Sequence, residues 1–146
     1  MASKDLNFKV NGKSIGFTKY SGKARNFELI VDEPQVLGGE DSAANPVEYL
    51  LAGYAGCLNV VFNLVAKEMQ IEIKKLEINI DGNINPEKFL GISETERAGF
   101  KDINVDVKIE TSAPKEQELE LINTVKTRCP INDNLSNPTP INYSFN

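Results

Sequence analysis

"NPVEYLLAGYAGCLNVVFNLVA", residues 45–66, is the stretch on which the fold turns. Asn45 suits a helix N-cap, Pro46 the first helical position, and Glu48 falls at N3, where its carboxylate can complete a capping box. From Tyr49 to Leu58 there is no charged or strongly polar side chain. A helix here therefore has to be covered on nearly every face, which one small domain does with difficulty, and a second subunit is expected to supply part of the cover. At its centre stand Gly53, Gly56 and Cys57, although each glycine costs a helix interior up to about 1 kcal/mol relative to alanine. Two explanations remain open at this point. The missing side chains open a notch through which a substrate or a partner's side chain reaches Cys57, or they let two helices pack closely across a dimer.

Working outward, the N-terminal third reads as β. "LNFKV-NG-KSIGFTKY" predicts two short strands turning at Asn11-Gly12, and "FELIV" places Phe27, Leu29 and Val31 on one face of a third. "DEPQVLGGEDSAANP" is a turn-rich loop. After the helix, "KKLEINIDG" and "INVDVKI" alternate as strands, the second with Ile103, Val105, Val107 and Ile109 inward. Pro114, Glu116 and Glu118 open a second helix with an apolar stripe of Leu119, Ile122 and Val125. That helix ends at "TRCPIND", where Pro130 cannot continue it, and "TPINYSF" reads as a last short strand. The order βββ-α-β…β-α-β defines an α+β domain around a central buried helix. One domain, residues 1–146, is expected, with strands at about 5–32, the central helix at about 45–69 and a second α/β half at about 71–146.

Composition narrows the chemistry. Forty per cent apolar and 25% charged residues suit a globular protein, and a dispersed net charge of −5 argues against nucleic acid and anionic membranes. The start "MASKDLNFKV" lacks a signal-peptide pattern, and Glu48, Asn59, Asn63 and two glycines interrupt residues 47–66 as a membrane span. The expectation is thus no membrane and a cytoplasmic location. The chain has no histidine, which excludes Ser-His-Asp and Cys-His hydrolysis and, with two cysteines, the usual zinc ligand sets. No metal and no cofactor is expected. Thiols, carboxylates, Lys, Arg and Tyr are left to act at neutral pH.

Cys57 and Cys129 lie 72 positions apart. Read blandly, they are two small core residues, since free cysteine is among the most buried types. Their settings suggest more. The Cys57 face of the helix, shared with Leu50, Gly53, Tyr54, Val61 and Leu64, is apolar, so a thiolate there needs a cation. Cys129 follows a helix C-terminus, where the macrodipole disfavours a thiolate. A thiol of ordinary pKa on a Pro-bounded loop suits a resolving role better than an attacking one.

"LGGEDSAANPVEYLLAGYAGCLNVV", followed at a distance by "RCPINDNLSNPTPI", resembles the OsmC/Ohr family of osmotically inducible and organic hydroperoxide resistance proteins, and its OsmC-like subgroup in particular. The resemblance runs from about residue 25 to the C-terminus. It implies an intertwined homodimer with long central helices packed between β-sheets. It also implies a thiol peroxidase in which Cys57 becomes a sulfenic acid, Cys129 condenses with it to a disulfide, and an external dithiol reduces the product. The family holds its reactive thiolate and substrate with an Arg and a Glu. The family's Glu directly follows the Pro, whereas here that place is Val47 and the acid is Glu48, turned by about 100°. Of the three arginines Arg25, Arg97 and Arg128, Arg25 is the nearest counterpart of the family's N-terminal Arg. The implied catalytic set is Cys57, Cys129, Arg25 and Glu48. The leading expectation is an organic hydroperoxide reductase. The alternative is a module of the same fold that binds a small apolar ligand, with structural cysteines.

Overall fold

Helix α1 spans Pro46–Glu68, and its start is built as the capping box requires. The Asn45 amide donates to Glu48 Oε1 at 2.9 Å, while the Glu48 amide donates to Asn45 Oδ1 at 2.9 Å. The structure, a computed structural model, describes residues 4–146. Two compact units are distinguished along the chain, one ending at Leu50 and the other running Leu51–Asn146.

The first unit carries an antiparallel sheet of β1 (Asn11–Ser14), β2 (Tyr20–Ala24) and β3 (Phe27–Val31), in that order. The first reversal is not at Asn11-Gly12. Those residues lie within β1, opposite Lys23 and Gly22, and the chain turns at Ile15–Lys19, where the Ile15 amide donates to the Lys19 carbonyl at 2.9 Å. Gly12 is needed for closeness rather than for turning: a Cβ there would lie 2.2 Å from the Ser21 carbonyl oxygen. Residues 6–10, expected as strand, are irregular, because among the described residues no neighbouring strand pairs with them.

After β3 the chain wraps a buried carboxylate. Asp32, wholly inaccessible, accepts from Thr18 Oγ1 at 2.6 Å, Ser42 Oγ at 2.7 Å, and the Ser42 and Glu40 amides at 3.1 and 3.2 Å. The Thr18 and Ser42 hydrogen bonds hold its pKa well below the ordinary carboxylate range, against the opposing effect of burial. A depressed folded-state pKa gives stability that is complete above about pH 4, the ordinary Asp value, and is lost as pH falls from there towards the folded value. Asp32→Asn is therefore expected to lower the urea midpoint at pH 7 and to flatten its fall between pH 4 and pH 2. An unaltered acid limb would assign the acid sensitivity to other carboxylates.

The second unit packs the body of α1, the antiparallel hairpin β4 (Ile73–Asn83) and β5 (Asp102–Thr111), and helices α2 (Lys115–Arg128) and α3 (Pro130–Ser136). Its core joins Tyr54, Leu58, Val61, Phe62, Val65 and Ala66 of α1 to Leu121 and Val125 of α2, over inward residues of the hairpin such as Leu76, Ile78, Val107 and Ile109. On α2, Leu121 and Val125 are fully buried and Leu119, expected inside, is exposed; on β5, Val105, also expected inside, is 39% exposed. The stripe follows Leu121, Ile122 and Val125 because the hairpin and α1 approach that side.

The expected last strand does not form. Among the described residues, 137–146 lack a ladder partner, and the alternating Ile141, Tyr143 and Phe145 stay exposed. The opposite flank of α1 is similarly bare, with Val60 62% and Leu64 47% exposed. By length and composition α1 could cross a membrane, but its other flank lies in the core just described.

Candidate active site

Three local signals assemble around Cys57. On α1 the residues Tyr54, Leu58 and Val61 face the core, while Gly53, Gly56, Val60 and Leu64 form an open stripe. Cys57 falls on the boundary between them and is half-buried. A Cβ added at Gly53 or Gly56 would meet nothing within 4 Å. No contact among the described residues therefore requires either glycine.

Cys129 sits where α2 ends and α3 begins, and is 1% exposed. Its amide donates to the Val125 carbonyl at 3.1 Å, closing α2. Its sulfur is also the N-cap of α3, accepting from the Asn132 amide at 3.5 Å. This corrects the expectation of a thiol opposed by a helix C-terminus alone, because the same residue faces the N–H groups of a second helix. Pro130 at the first position of α3 was the available signal. Burial pushes the Cys129 thiol above its ordinary pKa, with the Asn132 amide acting the other way and the hydrogen bond to Cys57 adding to the rise.

The two thiols meet. Cys129 Sγ donates to Cys57 Sγ at 3.2 Å, and both cysteines are free. A disulfide sets its sulfurs at about 2.05 Å, so closure asks for little more than an ångström of movement. Beside them Tyr54 donates its hydroxyl to Asn132 Oδ1 at 2.7 Å, and Asn132 Nδ2 donates to the Lys126 carbonyl at 3.0 Å. Burial and the adjacent thiols raise the Tyr54 pKa, which keeps it a donor at neutral pH. Neither Tyr54 nor Asn132 was singled out from sequence as part of a site, since only the docking of α3 brings them together.

The charged candidates are placed differently. Arg128 forms a two-pronged pair with Glu68 at 2.6 and 3.0 Å, raising its own pKa and lowering that of Glu68, so its guanidinium is committed to the end of α1. Arg97 lies in the irregular segment between β4 and β5. Arg25 and Glu48 belong to the first unit. Arg25 is in the turn between β2 and β3, left-handed at φ 56°, with its guanidinium 4.9 Å above the Phe27 ring. It lines an open groove of about 1160 Å³ together with Phe8, Lys9, Val10, Lys13 and Lys23. The Glu48 carboxylate is engaged by the Asn45 amide.

Residues 39–144 match the family model described as OsmC-like protein, and the chain belongs to the OsmC/Ohr family. No functionally curated protein is significantly similar to it. Among solved structures, the OsmC-like protein of Mycoplasma pneumoniae superposes with a TM-score of 0.77 at 22% identity, over 90% of this chain and 89% of that one. An organic hydroperoxide resistance protein from Elizabethkingia anophelis, with thiocyanate bound, gives a TM-score of 0.64 at 25% identity, over 90% and 89%. An OsmC-like protein of unknown function from Vibrio cholerae gives 0.68 at 15% identity, over 88% and 93%. The mixed α/β fold is thus that of OsmC-like structures.

Proposed function

We propose that the protein is a thiol peroxidase for organic hydroperoxides. The observation that carries this reading is the pairing of a reachable Cys57 with a buried Cys129, sulfur to sulfur at 3.2 Å. Cys57 attacks the outer peroxide oxygen, the O–O bond breaks, and Cys57–SH plus ROOH become Cys57–SOH plus ROH. Cys129–SH then attacks the sulfenic sulfur. The S–S bond forms, the S–O bond breaks, and the Cys129 proton leaves with hydroxide as water. An external dithiol returns both thiols and is itself oxidised to a disulfide. A buried Cys129 held above its ordinary pKa suits the second role, because it stays protonated and shielded until Cys57 has been oxidised.

Arg25 is the cation we assign to the Cys57 thiolate. Arg128 is bound to Glu68, whereas among the described residues the contact made by Arg25 is to an aromatic face, which leaves its donors to take a thiolate or a peroxide oxygen. Glu48 steadies the start of the helix that carries Cys57. We also propose that the working form is a cytoplasmic, intertwined homodimer. The open stripe Gly53, Gly56, Val60 and Leu64 and the exposed Ile141, Tyr143 and Phe145 support the dimer, because a monomer leaves this apolar surface in water.

Equimolar cumene hydroperoxide is expected to consume both thiols of the reduced protein in one intramolecular disulfide, faster than hydrogen peroxide does, with Arg25→Ala slowing the step by about tenfold or more. Mass spectrometry of alkylated samples reads this directly. Thiols that survive minutes of exposure would overturn the peroxidase. The second reading, a ligand-binding module, has the groove of about 1160 Å³ in its favour. It would then be tested by ligand retention in a Cys57→Ser/Cys129→Ser protein.

A further inference from the structure

We infer that Tyr54 and Asn132 form a latch that positions Cys129 for disulfide closure, a role that rests on the peroxidase reading above. The four residues close a ring. Tyr54 and Cys57 stand three positions apart on α1 and so project from neighbouring points of one face. The Tyr54 hydroxyl holds Asn132 Oδ1 at 2.7 Å. The Asn132 amide meets Cys129 Sγ at 3.5 Å, and Cys129 Sγ meets Cys57 Sγ at 3.2 Å. A second bond, from Asn132 Nδ2 to the Lys126 carbonyl at 3.0 Å, ties the same side chain to the last turns of α2.

The latch has a task because the segment it holds cannot hold itself. Helix α3 has seven residues, well under the length at which an isolated helix is stable in water. Its first turn presents the amide that meets Cys129 Sγ. With Asn132 pinned by its side chain to both α1 and α2, that amide stays aimed at the sulfur, and the sulfur stays aimed at Cys57. The amide also favours the anion that forms on Cys129 as its proton leaves for the departing hydroxide, opposing the burial that disfavours it. The hydrogen bonds of Tyr54 and Asn132 run to each other, to Cys129 and to Lys126, on the side of the second step. They are positioning residues for the second step, and they set how long Cys57 remains a sulfenic acid exposed to further oxidation to the sulfinic acid.

The test separates the two steps. Reduced protein is mixed with one equivalent of cumene hydroperoxide, quenched over time, and scored by mass spectrometry for Cys57 sulfenic acid (trapped with dimedone), disulfide and sulfinic acid. Tyr54→Phe removes one hydroxyl. It is expected to slow closure on the order of fivefold, the weight of one hydrogen bond, and to raise the yields of trapped sulfenic and sulfinic acid while peroxide consumption in the first turnover changes by less than about twofold. Asn132→Ala is expected to act in the same direction and, on a half-buried turn, covers the case in which Tyr54→Phe fails to fold. The Tyr54→Phe/Asn132→Ala protein should be no slower than the worse single variant, because both break the same link.

Closure rates in both variants equal to wild type would overturn the latch and leave the peroxidase standing. Equal slowing of both steps, or additive effects in the double variant, would also overturn it, since these are the marks of general loosening. A wild-type protein that forms no Cys57–Cys129 disulfide would overturn the peroxidase reading, and the latch with it.

Discussion

Cys57→Ser is expected to abolish hydroperoxide reduction, by on the order of 10³-fold or more, while Cys129→Ser keeps the first turnover and stops the cycle at the sulfenic acid. The asymmetry follows from where the fold puts each sulfur. Cys57 stands at the edge of the core beside Gly53 and Gly56, whose missing side chains leave open space. Cys129 lies 1% exposed at the joint of α2 and α3. A peroxide can approach the first and not the second. Serine at position 57 has nearly the same size, so the core around Tyr54, Leu58 and Val61 should be undisturbed, but a hydroxyl at neutral pH is far weaker than a thiolate as a nucleophile. Removal of the attacking atom costs the whole chemical step rather than a fraction of it. In Cys129→Ser the sulfenic acid has no partner at 3.2 Å, so dimedone should label Cys57 and repeated peroxide should drive it to the sulfinic acid. Stopped-flow peroxide consumption and intact-mass spectra of both variants decide the matter. Dimedone labelling on position 129 in the wild type would reverse the two roles.

Val60→Lys combined with Leu64→Lys is expected to weaken self-association by at least on the order of 10²-fold. The two positions are 62% and 47% exposed within one chain, so lysine there disturbs little of the fold. They are two consecutive steps of the stripe begun by Gly53 and Gly56, and an all-apolar stripe with two glycines lets a like helix come close. In a two-fold dimer each substitution occurs on both sides, so four ammonium groups would be desolvated without partners, each opposing association by a few kcal/mol. Sedimentation velocity across micromolar concentrations, with circular dichroism to confirm intact helices, reads the change. A double variant that stays as dimeric as wild type would place the contact elsewhere on the surface. A wild-type monomer would leave the stripe without the proposed cover.

These expectations draw unequally on sequence and structure. Wherever a few neighbouring side chains settle the outcome, the chain itself determined the result. The Asn45-Pro46-Glu48 cap, the alternation in β4 and, except at the exposed Val105, in β5, and the end of α2 before Pro130 appear where local chemistry puts them, because their partners lie three or four residues away or on the opposite strand of the same hairpin. The family is likewise legible in "NPVEYLLAGYAGC" and "RCPIND".

Tertiary structure decided whatever depended on which element lies opposite. Asn11-Gly12 has the chemistry of a turn, yet Gly12 is spent on close contact with Ser21, and the reversal falls five residues later. Leu121 rather than Leu119 is buried because the hairpin and α1 cover that side of α2. The strand expected at "TPINYSF" has the right alternation, but a strand exists only beside another, and among the described residues none pairs with it. Cys129 changed character most. Sequence placed it after a helix, and only the folding of α3 made its sulfur an N-cap. Asn132 and Tyr54, 78 residues apart, could join it only because α1 and α3 pack together. Hydrogen bonds of that span are set by the packing of distant helices, which no local pattern encodes.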